Sequence, residues 1–103
     1  MNGPHVKLTL VCPPQTGEQI VEFLIDSDSI VSGFTTVSAN GHGEDFSTAS
    51  VAERVRGHVS RTWITLVLEH DLVGKLLSQL RAKYPSPHIV YWTEPVIEFG
   101  DFS

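Results

Sequence analysis

The chain has 103 residues, enough for one domain and one modest core. Hydrophobic residues make up 41% and charged residues 18%, a globular balance that excludes general disorder. The net charge of −5 excludes a general nucleic-acid binder, which needs a basic surface, and argues against an anionic-membrane surface protein. The single cysteine, Cys12, cannot form an intrachain disulfide and fits a reducing compartment. The start, Met1 to His5, lacks the basic patch and apolar core of a secretory signal, so a cytoplasmic location is expected.

In chain order, His5 to Val11 reads as a strand, with Val6, Leu8 and Leu10 on one face. Cys12-Pro13-Pro14 stops it. A helix is predicted to start near Thr16, with Thr16 and Gln19 as a capping box and Ile20, Phe23 and Leu24 on one face. The Asp26-Ser27-Asp28-Ser29 cluster ends it. Gly33 to Asn40 reads as a second strand. Val59 to Glu69 is the clearest strand, with Ile64, Leu66 and Leu68 on one face and Trp63, Thr65 and Val67 on the other.

Asp71 is placed to cap a second helix carrying Val73, Leu76, Leu77, Leu80 and Tyr84, with Arg81 and Lys83 in its last turn. Pro85 ends that helix. His88 to Thr93 is a fourth strand, broken by Pro95, and Val96 to Phe99 reads as a short extra strand. The order strand, helix, strand, strand, helix, strand predicts an α+β, ferredoxin-like βαββαβ sandwich. It has a four-stranded antiparallel sheet and two helices on one face. The other face would be bare, with Trp63 and Val67 on it, so a homo-oligomer is expected.

The segment from Gly41 to Gly57 is long for a connection between neighbouring strands, and such loops are usually functional. Gly41, Gly43 and Gly57 allow unusual backbone angles. Arg54, Arg56 and Arg61 place three of the seven cationic residues in one stretch of an acidic chain. They read either as a site for a phosphate or carboxylate or as a solvated edge. His42 beside Glu44 and Asp45 is a metal candidate or an exposed histidine. Cys12 is a thiolate ligand or a small buried thiol. His58 and His70 read as boundary residues of the third strand. No nucleophile elbow, Walker loop or dinucleotide fingerprint is present, so a small ferredoxin-like enzyme is the weaker alternative and a non-catalytic role is expected.

These segments resemble two related families. Leu10-Val11-Cys12-Pro13 and Tyr84-Pro85-Ser86-Pro87-His88-Ile89-Val90 resemble the first strand end and the segment after the second helix in the CutA family, though the histidine-proline-tyrosine of that segment is missing. Val31-Ser32-Gly33-Phe34 and Gly41-His42 resemble the root of the PII T-loop. Three departures stand out: Ala39 holds the position of the PII glutamine, no tyrosine lies between Gly41 and Arg61, and Ala82 to His88 lacks the PII phosphate loop.

The resemblance therefore implies a divergent PII-like protein rather than an ordinary nitrogen sensor. Residues 1–103 would be one PII/CutA-like domain, similar to the proteobacterial PII-like proteins found near heavy-metal efflux systems. It implies a homotrimeric signalling protein that binds a small anionic effector, such as a nucleotide, or a divalent metal at clefts between subunits. Gly41, His42 and Gly43 would shape the cleft and Arg54, Arg56 and Arg61 would meet negative charge. The 41–57 loop would reach a partner such as a membrane transporter or efflux component. The alternative it implies is a CutA-like divalent-metal tolerance protein using Cys12 or His42.

Overall fold

A computed structural model describes residues 4–27, 30–43 and 57–103. Its elements run β1 (His5–Cys12), α1 (Pro14–Ile25), β2 (Thr35–Gly41), β3 (Val59–Glu69), α2 (His70–Lys83) and β4 (Val90–Val96). The four strands form one antiparallel sheet in the order β2-β3-β1-β4. This is the ferredoxin-like plan expected from the sequence.

Period-two patterning decides which face each strand buries. Val6, Leu8, Leu10 and Cys12 of β1 pair with Leu68, Leu66, Ile64 and Thr62 of β3, so their side chains share one face. Against it pack Ile20 and Leu24 of α1 and Leu76 and Leu80 of α2, and together these residues form a single core. Gly17 lets α1 approach β3: a Cβ there would lie 3.0 Å from Thr62 Cβ.

Several boundaries differ from the sequence expectation. Helix α1 begins at Pro14, two residues before the expected start, with Pro13 as its N-cap and no side-chain cap. Proline at the first helical position loses nothing, because that N–H has no helical partner, and its fixed φ suits the turn. Gly17 N–H donates to Pro13 O at 2.9 Å, closing that turn. Thr16 is thus inside the helix and the Thr16–Gln19 capping box does not form. Nor does Asp71 cap α2. Glu69 is the N-cap, without a side-chain bond, and Asp71 sits in the first turn, where a carboxylate still suits the helix dipole.

Pro95 does not break β4; it pairs with Val6 inside the strand. Strand β4 is an edge, so the missing proline N–H need not face a neighbour. Residues 97–103 form no strand. Phe99 instead lies against His5, with ring centroids 5.5 Å apart. No helix among the described residues is long and apolar enough to cross a membrane.

Candidate functional site

The sheet face opposite the helices is built in rows. The first crosses all four strands as Val37, Trp63, Val11 and Val90. The second is Thr35, Thr65, Thr9 and Trp92, and the third is Val67, Lys7 and Glu94. Trp63 and Trp92 meet edge to face, with centroids 5.5 Å apart and planes at 84°. They remain 39% and 37% exposed, and Val37 and Val90 are 56% and 52% exposed. Polar contacts bound this stripe: Trp92 Nε1–H donates to Glu94 Oε2 at 3.0 Å, and Lys7 Nζ lies 3.8 Å from the same carboxylate oxygen.

The root of the 41–57 segment lies where the β2–β3 ladder ends. Gly41 pairs with Val59 as the last rung. His42 and His58 follow on either side, and their rings meet with centroids 5.5 Å apart. Gly43 and Gly57, next outward, have φ of 73° and 76°, the left-handed region that glycine tolerates. The sequence singled out Gly41, His42 and Gly43, and the fold brings them to this root. It did not single out His58 as the partner of His42. The available signal was register: if the second strand runs to Gly41 and the third starts at Val59, 42 and 58 are the next pair.

Arg54 and Arg56 lie outside the described residues. Arg61 is on β3 opposite Ala39, on the helix-free face. It is only 9% exposed, and its Nη1–H donates to Ser60 O at 2.9 Å.

Cys12 lies in the core, fully buried and unpaired, with its thiol 3.7 Å from Thr62 O. Burial pushes the thiol above its ordinary range, and the Arg61 charge partly opposes this. Cys12 and His42 do not come together: β3 lies between their strands and they are offset along it, roughly 15 Å in all.

The raised thiol has a consequence for stability. The folded chain keeps the proton to higher pH than the unfolded chain, so its contribution is full below the unfolded thiol range of about 8.5 and fades above it. Stability is expected to fall as the pH rises above about 8.5, and Cys12→Ala should flatten that part of the profile. Urea denaturation across that range checks it; the same slope in both proteins would contradict the burial argument.

Two grooves flank these features on the helix side. One lies between α1 and β2, lined by Gly17, Glu18, Val21, Thr36, Ser38 and Thr62. The other lies where α2 ends near β4, lined by Leu10, Ile20, Leu80, Tyr84, Ile89 and Tyr91. At the second, Arg81 lies over the Tyr91 ring, 5.9 Å from its centroid.

Residues 2–103 match the family described as "Protein of unknown function (DUF3240)", and the chain belongs to that family. A crystal structure of a DUF3240 family protein from Shewanella baltica OS155 superposes with a TM-score of 0.76 at 19% identity, covering 98% of this chain and 99% of that one. CPII, a nitrogen regulatory PII-like protein from Thiomonas intermedia K12 bound to ADP, AMP and bicarbonate, matches with a TM-score of 0.65 at 20% identity over 93% of each chain. Arabidopsis thaliana PII bound to citrate matches with a TM-score of 0.68 at 14% identity, covering 91% of this chain and 78% of that one. No curated protein matches. The fold is that of the PII-like proteins.

Proposed function

We propose that this chain is a non-catalytic, PII-like regulatory protein of the cytoplasm. It assembles as a trimer through the helix-free sheet face and binds a small anionic effector where copies meet. The observation that carries the reading is the exposed stripe of Val37, Trp63, Val90 and Trp92 on a PII-like fold. Apolar surface of this kind, centred on two tryptophans and rimmed by Lys7 and Glu94, has the composition of an interface.

The anionic character of the effector is supported by the relatives, since ADP, AMP, bicarbonate and citrate all carry negative charge. In this chain Arg54, Arg56 and Arg61 would supply the matching cations, and Gly41, His42 and Gly43 would shape the cleft. An effector that orders the 41–57 segment would change what that segment can touch, which is how binding becomes a signal. The sequence resemblance points to a membrane transporter or efflux component as the partner.

Thermal unfolding of the assembly against adenine nucleotides, bicarbonate and 2-oxo acids tests the effector. An effector at about 100 times its dissociation constant adds roughly 2.7 kcal/mol to stability. Arg56→Ala should weaken that effector by about 10- to 150-fold, the loss of one charge-assisted hydrogen bond. An unchanged affinity would remove Arg56 from the site. No shift with any anion would remove the effector from the account and leave a protein partner as the ligand.

A further inference from the structure

We propose that His42 and His58 form a binding site for a divalent transition-metal ion at the root of the 41–57 segment. Three observations carry it. The first is register: Gly41 and Val59 are the last rung of the β2–β3 ladder, so the next position on each strand places a histidine opposite a histidine. Side chains directly opposite in an antiparallel pair have Cβ atoms about 4.5–5.5 Å apart, close enough for two imidazoles to reach one ion.

The second is the distance between the rings. Two imidazoles that each give one nitrogen to a tetrahedral ion, at metal–nitrogen distances of about 2.0–2.1 Å, have centroids about 5 Å apart. The His42 and His58 centroids are 5.5 Å apart with planes tilted by 47°. Small rotations of the side chains would close the remainder, and a tilted pair directs its nitrogens toward a common point more readily than a parallel stack.

The third is access. His42 is exposed and His58 half-buried, so an ion can reach both rings from solvent. The backbone beneath them is held by the ladder on one side. On the other, Gly43 and Gly57 adopt the left-handed region. Chelation therefore needs little ordering of the backbone.

The donor set defines the class of ion. Imidazole suits zinc, copper and nickel, and copper(II) is expected to bind more tightly than zinc(II) at an unstrained nitrogen pair. Two protein nitrogens leave the remaining positions to water or another donor, so the site is one of modest affinity. It requires no anionic effector and no assembly, and so stands apart from the effector reading.

The test is zinc(II) and copper(II) titration of the full chain by calorimetry without nucleotide, on wild type, His42→Gln, His58→Gln, the double variant and His70→Gln. One ion per chain is expected. Each single variant should weaken binding by roughly 10-fold or more, and the double variant should be little worse than either, because a chelate is lost with its first arm. His70→Gln, on the exposed start of α2, should bind as wild type. Imidazole NMR signals of wild type give a readout independent of the variants: those of His42 and His58 should shift together on adding zinc chloride. No binding at millimolar metal, binding indifferent to both histidines, or additive losses expected of two separate sites would each overturn the proposal.

Discussion

Replacing Trp63 with glutamate is expected to leave each chain folded and to break the assembly into monomers. In the single chain, Trp63 is already 39% exposed and touches Trp92 edge to face. The local cost is the loss of one aromatic pair, about 0.5–1.5 kcal/mol beyond area. In an assembly closed over the stripe, the same change buries a carboxylate among Val37, Val11 and Val90, while Arg61, the next residue along that face of β3, is already bonded to Ser60 O. An uncompensated buried charge costs about 3–5 kcal/mol. That lowers association by a factor of roughly 150 to 5,000. Trp63→Phe, which keeps most of the apolar area, should retain the assembly. Sedimentation velocity with far-UV circular dichroism separates the two effects. A Trp63→Glu protein that sediments as wild type would mean that this face is not the interface.

Leu8→Ala is expected to destabilise the fold by about 2–5 kcal/mol, the range for removing a fully buried leucine. Leu8 is 0% exposed, and β1 is flanked by β3 on one side and β4 on the other, with Leu66 and Thr93 opposite. The sheet holds Leu8 from both sides and the helices cover it, so the cavity has little room to collapse. Domains of this size are stable by only about 5–15 kcal/mol, so the loss is a large share of the total. Ile97→Ala, at a fully exposed position beyond β4, should change stability by less than about 0.5 kcal/mol. Urea denaturation of both variants checks this; a loss under 1 kcal/mol for Leu8→Ala would mean that the helix-facing side of β1 is not the centre of the core.

Both predictions rest on a pattern legible in the sequence. The eleven residues of β3 alternate so regularly that its bounds, Val59 and Glu69, follow from the sequence and agree with the structure. The same alternation separates Ile64, Leu66 and Leu68, all buried, from Trp63 on the open face. What it could not supply was context for the prolines. Pro13-Pro14 stops a strand and starts a helix at once, and only the stop was evident. Pro95 reads as a breaker unless the strand is known to be an edge, which is a property of the sheet order and not of the segment.

The candidate site was legible in part for a related reason. Gly41, His42 and Gly43 stand out locally, through glycine and histidine at the start of a long connection. The pairing of His42 with His58 does not, because it joins residues sixteen positions apart and appears only when the β2–β3 register is fixed. Cys12 shows the reverse case. As a residue type it suggested a metal ligand. Its place in the core, enclosed and with its thiol held in the neutral form, is set by β1 facing the helices.

Sedimentation equilibrium of the wild-type protein at micromolar concentration tests for the trimer. A molar mass three times that of the chain, independent of speed and held across dilution, is the predicted result. A mass equal to one chain would contradict it, because the tryptophan stripe would then face water and no cleft between copies could hold an effector.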